Sequence, residues 1–186
     1  RVLTVLLISK LALSEVRTVA LDSRSRTSVA LLRILFGDRF HSAVRYESVE
    51  PDIDSMLKTH DSALVIGDQA LKFACPKGMM VYDLSQEWFE LTGQAFVHAV
   101  VAVRPDVSIT DEMKETILSA NQKLPSEITE VVKAQAVHYN EGLCEDYLRN
   151  RIRYTLGEEE IQGLARFRDM SYDRGLITQK HPIGFI

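Results

Sequence analysis

The sequence predicts an α/β sheet domain followed by a run of helices. In the first half of the 186 residues, short apolar runs alternate with helical patterns, an order that favours parallel strands joined by right-handed crossovers. From Ile109 to Ile177 only helical patterns occur. At this length the chain can bury a substantial hydrophobic core.

Six apolar runs predict the strands of the sheet. Val2–Ile8 is rich in Val and Leu, which is typical of a strand buried on both faces. Gly67 and Asp68 end one of the later runs. The other predicted strands are Thr18–Leu21, Ala43–Tyr46, Ala63–Ile66, Met79–Tyr82 and Phe96–Val103.

Helix signals separate and follow these strands. Val29–Phe36 has the Leu content of a buried helix, and Gly37 is expected to end it. Pro51 is expected to be the first residue of a short helix. Pro125 is expected to separate two helices, and Thr155 to Glu158 has capping-box spacing. The other predicted helices are Ala70–Phe73, Ser85–Leu91, Thr110–Lys123, Ser126–Asn140, Leu143–Tyr154 and Glu158–Tyr172.

Composition excludes several classes of protein. A formal net charge of −4 argues against a nucleic-acid partner, which needs a concentrated basic face. No run approaches the roughly 20 apolar residues that cross a bilayer, so no membrane partner is expected. The two cysteines and five histidines show no metal-ligand spacing, so neither a zinc site nor a disulfide framework is predicted.

The amino-terminal segment "RVLTVLLISKLALS" resembles a secretory signal in outline. Lys10 cuts its apolar part short, and a second strand pattern follows at once, which favours an internal strand. We therefore expect a cytoplasmic protein. The first residue is Arg, so we expect the chain to begin partway into a longer protein.

A polar loop, "DSRSRTS", lies between the strand ending at Leu21 and the next helix. Ligands of open α/β sheets bind beyond the carboxyl ends of strands, and the unpaired amides of a helix start favour an anion. Ser25, Thr27 and Ser28 would add hydroxyl donors, so the loop predicts a carboxylate site. The alternative is that Ser25 or Thr27 simply caps the helix.

The stretch "ALVIGDQAL" repeats this arrangement at another strand end. Gly67 would let the backbone approach a ligand, and Asp68 would accept a hydrogen bond from it. The alternative is that Asp68 caps the following helix. A third polar cluster, Arg149, Arg151 and Arg153, is better explained by an ordinary helix pair between Glu145 and Arg149.

Four segments resemble the chorismate dehydratase family of menaquinone biosynthesis, which opens the futalosine route. The resemblance runs over essentially the whole chain, and its most specific pieces are Leu-Asp-x-x-Ser-x-Thr-Ser, Ile-Gly-Asp and the carboxy-terminal pattern Arg-Ile-Arg-Tyr…Gly-Leu…Phe. The segments are "TVALDSRSRTSVALL", "ALVIGDQAL", "YDLSQEWFELTGQAFVHAVVAV" and "YLRNRIRYTLGEEEIQGLARF".

The resemblance implies the two-lobed fold of type 2 periplasmic binding proteins, with two crossing strands between the lobes. Residues 1–15 would hold the first crossing strand, 16–95 an α/β lobe, 96–105 the return strand, and 106–186 the helical part of the other lobe. Relatives carry a further amino-terminal segment with a cleft Asn. Nothing here matches it, so part of one lobe is expected to be missing.

The resemblance also implies a reaction, the loss of water from chorismate to give 3-[(1-carboxyvinyl)oxy]benzoate. On this basis Ser25, Thr27 and Ser28 would bind a substrate carboxylate, Gly67 and Asp68 would line the same wall, and Thr4 would lie where the first strand meets the cleft. No metal or organic cofactor is expected, and no general base is assigned. An uncovered apolar sheet face would favour association, so a homodimer is considered.

Two other functions fit the same residues. One is a non-catalytic binding protein for a small carboxylate. The other is the sister enzyme of the pathway, which acts on cyclic dehypoxanthinyl futalosine; the Ser-Arg-Thr-Ser loop and the carboxy-terminal pattern favour the dehydratase over it.

Overall fold

The computed structural model describes residues 1–40 and 43–185. It divides into two compact units, which are described separately. The first unit contains residues 1–97 together with the segment that starts at Gly157, and the second contains His98–Leu156. The sequence-based boundaries grouped residues 106–186 together, whereas the structure places the last helix with the first unit.

A five-stranded mixed sheet forms the centre of the first unit, with the strand order β3-β2-β4-β1-β5. β2 is parallel to both β3 and β4, while β1 is antiparallel to both β4 and β5. The strands are β1 (Val5–Ser9), β2 (Thr18–Asp22), β3 (Arg45–Val49), β4 (Ser62–Ile66) and β5 (Met80–Asp83). The α/β class is confirmed, but the prediction of parallel pairing throughout is wrong.

Helices cover both faces of this sheet. Alternate residues of β1 divide between two cores: Val5 and Leu7 belong to one, Leu6 and Ile8 to the other. α1 (Thr27–Leu35), α4 (Leu84–Thr92) and α7 (Glu158–Asp173) contribute to the first core. α2 (Ile53–Thr59) and α3 (Asp68–Leu71) contribute to the second. Burial on both faces explains why β1, β2 and β4 are predominantly apolar, whereas the edge strand β3 is largely exposed and polar.

Gly37 does not end α1. The chain continues from Leu35 into a π-helical turn, Phe36–Phe40. The guanidinium of Arg174 lies where a side chain on residue 37 would project, and it forms an ion pair with Asp38. A contact made by a residue more than 130 positions further along the chain therefore covers the turn at which Gly37 was expected to end the helix.

α7 packs closely against the rest of the first unit. Gly163 permits this approach, because a methyl group there would collide with the backbone carbonyl of Ala95. Next to this contact, the ring of Phe167 packs edge-on against Trp88 and Phe96, with centroid separations of 5.9 and 5.0 Å. The helix begins at Glu158 with Gly157 as its N-cap, whose amide donates to Glu160 Oε2 at 3.0 Å.

The second unit contains α5 (Asp111–Gln135), α6 (Glu141–Asp146) and a π-helical turn, Tyr147–Arg151. Pro125 lies inside α5 rather than between two helices, so that prediction is wrong. An internal proline costs roughly 3 kcal/mol, but Ile128 and Val132 in the following turns are buried against Cys144 of α6. This packing offsets part of the cost and keeps the helix continuous.

Residues 95–104 belong to no strand of the described sheet. The predicted strand at Phe96–Val103 is therefore not formed, because an apolar β-branched run needs a hydrogen-bonded neighbour to become a strand. Within residues 1–40 and 43–185, no helix combines the length and the hydropathy that crossing a membrane would require.

Candidate functional site

One edge of the sheet collects the polar loops that the sequence singled out. Because β2 and β4 are parallel neighbours, the loop after Asp22 and the loop after Ile66 leave the sheet at the same edge. β1 is antiparallel to β4, so the residues that precede Val5 also lie there. The sheet thus brings the α1 loop, Gly67–Asp68 and Thr4 to one edge.

The start of α1 has no side-chain cap. Its N-cap residue is Arg26, whose side chain makes no capping hydrogen bond, and the first turn contains no acidic residue. The interpretation that Ser25 or Thr27 caps the helix is therefore wrong. Thr27 is exposed, Ser25 is partly exposed and Ser28 is buried.

Asp22 fixes the loop that leads to this helix start. Its side chain is fully buried, and it accepts hydrogen bonds from the backbone amide, Nε and Nη2 of Arg24 at 3.0, 2.9 and 2.7 Å. Burial raises the pKa of Asp22, but the hydrogen bonds and charge of Arg24 outweigh burial and hold the pKa below its ordinary value. The sequence pattern alone gave Asp22 no role. The signal that could have identified it is a carboxylate at the end of an apolar strand.

Asp68 does not cap the next helix. Gly67 is the N-cap residue of the short α3, and Asp68 is its first helical residue, with an exposed side chain. Asp68 and Glu50 are among the negative charges that raise the pKa of Arg24, after the larger effect of its hydrogen bond to Asp22. The Asp68 carboxylate thus adds negative charge to the part of the sheet edge that contains Arg24.

Gly67 lies beside Thr4. The Gly67 amide donates a hydrogen bond to the carbonyl oxygen of Thr4 at 2.8 Å, which extends the β1–β4 pairing by one step. Gly67 has φ 62°, and the space in front of its α carbon is open. Glycine is favoured at this position because of its positive φ, and not because a side chain would collide with neighbouring atoms.

Gly67→Ala is expected to lower the free energy of unfolding by about 1–3 kcal/mol, because an alanine resists the left-handed conformation. Urea denaturation measures the change. Gly184→Ala is the matched control, since its α carbon also faces open space but its φ is not in that region. If Gly67→Ala lowers the free energy of unfolding no more than Gly184→Ala does, the conformational explanation is contradicted.

Asp83 is a second carboxylate that sequence reasoning left without a role. It ends β5, caps α4 through Oδ1 and accepts two further backbone hydrogen bonds from Val2 and Leu3 through Oδ2. Its signal in the sequence was an acidic residue immediately before a helix.

Two surface depressions of the first unit have volumes of about 300 Å³ each. Neither is lined by Ser25, Thr27, Ser28, Gly67, Asp68 or Thr4. No group of three His, Cys, Asp or Glu residues within the described ranges is arranged to hold a metal ion; His41 lies outside those ranges.

The arginine cluster of the second unit forms local ion pairs. Arg149 Nε contacts Glu145 Oε1 at 2.8 Å, and Arg149 Nη2 donates to Thr129 Oγ1 at the same distance. Arg151 Nε contacts Asp146 Oδ2, also at 2.8 Å. The helix pair between Glu145 and Arg149 is confirmed, and the separate bond from Arg149 to Thr129 connects the π-helical turn to α5.

Comparison with known proteins agrees with these motifs. Residues 1–173 match the family described as Menaquinone biosynthesis. The chain is 33% identical over 187 aligned residues to a protein named chorismate dehydratase from Thermus thermophilus, and the match covers 91% of this chain and 68% of that protein. The chain therefore belongs to the chorismate dehydratase family of menaquinone biosynthesis.

Proposed function

We propose that this protein is a chorismate dehydratase, a carbon–oxygen lyase that converts chorismate to 3-[(1-carboxyvinyl)oxy]benzoate in the futalosine route. One C–H bond and one C–O bond of the ring break, a proton and a hydroxide leave as water, and a third ring double bond forms. Aromatisation supplies the driving force, so the protein mainly has to bind and orient a dianion. Family membership and the similarity to the Thermus protein support this reaction.

The uncapped start of α1 is the observation that carries the proposal. The N-cap side chains of α2, α4, α5 and α6 each accept a backbone hydrogen bond, and α3 and α7 begin with glycine N-caps; α1 instead has a cationic N-cap residue, Arg26. A cation at the positive end of a helix is unfavourable unless an anion binds there. The first turn of α1 thus leaves amides and positive charge for a carboxylate.

Hydroxyl groups complete this carboxylate site. Thr27 and Ser28 belong to the first turn of α1, and Ser25 precedes it; in the proposal all three donate hydrogen bonds to one substrate carboxylate. Gly67, Asp68 and Thr4 line the neighbouring part of the edge. Charge-assisted hydrogen bonds of this kind are stronger than neutral ones, so their loss should appear in substrate binding.

Thr27→Val is expected to lower kcat/KM for chorismate about tenfold or more, because one hydrogen bond to a charged group contributes roughly 1.5–3 kcal/mol. Thr116→Val is the matched control: this threonine lies in α5, and its hydroxyl donates to the carbonyl of Glu112 in the same helix at 2.8 Å. Steady-state assays of product by mass spectrometry compare the two. Equal values for wild type and Thr27→Val would reject the proposed role of this hydroxyl.

Three substrate experiments separate the candidate functions. Formation of the enol-ether benzoate from chorismate supports the dehydratase, and its absence at every pH rejects it. Tight binding of chorismate by calorimetry without turnover would instead support a binding protein for small carboxylates. Turnover of cyclic dehypoxanthinyl futalosine would support the sister enzyme.

We further propose the two-lobed fold of type 2 periplasmic binding proteins. The position of β1 supports it, since the first strand enters antiparallel between β4 and β5 as a crossing strand would. A crystal structure of the full-length protein tests this fold.

We also propose that the protein is a cytoplasmic homodimer. Membership of a biosynthetic family supports the location, and exposed apolar side chains of the second unit, including Val101 and Leu118, favour association. Sedimentation equilibrium and cell fractionation test the two statements, and a monomer or an extracellular protein would reject them.

A further inference from the structure

Asp83 connects three segments of the first unit through one carboxylate. Its Oδ1 accepts hydrogen bonds from the amides of Ser85 and Gln86 at 3.0 and 3.2 Å, which caps α4. Its Oδ2 accepts hydrogen bonds from the amides of Val2 and Leu3 at 2.8 and 2.9 Å. Serine caps helices about as well as aspartate does, so the second pair of bonds is the part that needs a carboxylate.

Leu3 shows why this second pair matters. Its φ is 64°, and within the described ranges it is the only non-glycine residue with a positive φ. A bulky side chain disfavours this conformation, which persists only where surrounding contacts hold it. The bond from the Leu3 amide to Asp83 is a contact of this kind.

The segment held by Asp83 continues directly into the candidate site. Thr4 follows Leu3, and its carbonyl accepts the hydrogen bond from the Gly67 amide. Gly67 in turn begins the exposed Gly67–Asp68 loop beside the end of β2. A displacement of Val2–Thr4 would therefore move the part of the edge that neighbours the start of α1.

We propose that Asp83 is a positioning residue of the carboxylate site. It holds Val2–Thr4 against Gly67, so that Thr4, Gly67 and Asp68 keep their places relative to a substrate bound at α1. Asp83 acts through these residues and does not itself contact the substrate. This inference rests on the proposed function and adds to it a residue whose contacts lie within the protein.

Asp83→Ser tests the proposal, because it keeps a cap for α4 and removes the acceptor for Val2 and Leu3. The KM for chorismate is expected to rise about tenfold or more while kcat changes less than about threefold, since misplaced binding groups weaken substrate binding. Asp52→Ser is the matched control: Asp52 caps α2 through the amide of Ser55 at 2.8 Å. An equal rise of KM in both variants would overturn the proposal, because it would reflect a lost helix cap.

Hydrogen exchange of single amides gives a readout that does not depend on activity. In Asp83→Ser the Leu3 and Gly67 amides are expected to exchange faster, while the amide of Leu64 in β4 keeps its protection. Unchanged exchange and unchanged KM in this variant would overturn the positioning role and leave the dehydratase assignment intact.

Calorimetry with chorismate separates the two proposals where turnover is absent. Wild-type binding without turnover, weakened in Asp83→Ser and not in Asp52→Ser, would reject the dehydratase and retain the positioning role. Absence of both binding and turnover in the wild-type full-length protein would reject both.

Discussion

Replacing Trp88 by alanine is expected to lower the free energy of unfolding by about 4 kcal/mol. The indole of this α4 residue is fully buried in the core to which α1 and α7 also contribute, and its ring centroid lies 5.6 Å from that of Phe96 and 5.9 Å from that of Phe167. Its Nε1 has no hydrogen-bond partner within the described residues. The expected loss therefore comes from packing and the cavity left behind.

Phe89→Ala is the control for this change, because Phe89 follows Trp88 in the same helix but is 54% exposed. Its effect is expected to stay within about 0.5 kcal/mol. Urea denaturation followed by circular dichroism suits both variants, since Trp88 is the only tryptophan and its removal abolishes the fluorescence signal. Similar losses in the two variants would contradict a core centred on Trp88.

Replacing Arg24 by alanine is expected to lower the free energy of unfolding by about 3 kcal/mol at pH 7, because it leaves a buried carboxylate without its ion pair. Asp22 is the group left behind: its side chain is 0% exposed, against 56% for Arg24. The double variant Asp22→Asn/Arg24→Ala should lose less free energy of unfolding than Arg24→Ala alone, because it leaves no buried charge unpaired. An equal or larger loss in the double variant would contradict this explanation.

The effect of Arg24 should also depend on pH. The pKa of Asp22 is below its ordinary value of 3.8 in the folded protein, so its contribution to stability is complete above that value and is lost as the pH falls below it. Arg24→Ala keeps the backbone hydrogen bond to Asp22 but removes the guanidinium, so burial is offset less and the pKa of Asp22 rises. Protonation at low pH then removes the unpaired buried charge. The difference between wild type and variant is therefore expected to shrink from pH 7 to pH 4 in urea titrations.

Arg104→Ala is the surface control for this series. Arg104 and Asp106 lie 3.8 Å apart, and their side chains are 79% and 75% exposed. Exposed ion pairs contribute at most about 1 kcal/mol. A loss from Arg104→Ala as large as that from Arg24→Ala would show that burial of Asp22 does not decide the energy.

Local signals located most elements of the first unit. The strands at Thr18, Ala63 and Met79 were predicted to within one residue at each end, because apolar runs bounded by polar residues are local features. Where a contact from a distant segment decided the outcome, local signals failed. Arg174 covers the turn at Gly37, and α6 holds the helix beyond Pro125.

The candidate site was predicted in part. Strand–loop–helix patterns located the polar loops at Ser25–Ser28 and Gly67–Asp68. They gave no role to Asp22 and Asp83. The partners of Asp83, Val2 and Leu3, lie some 80 positions away and are brought to it only by the tertiary fold. Arg24 is near Asp22 in sequence, but the burial of Asp22 that makes this pair important also depends on the fold.

By itself the sequence determined which residues are apolar, where most strands and helices of the first unit lie, and which family the motifs indicate, because each depends on residue types at short spacing. The tertiary structure alone decided the direction of β1, the placement of α7 with the first unit and the gathering of Thr4, Gly67 and the start of α1 at one edge. Strand direction leaves no trace in the apolar pattern, since a strand buried on both faces has the same composition in either orientation.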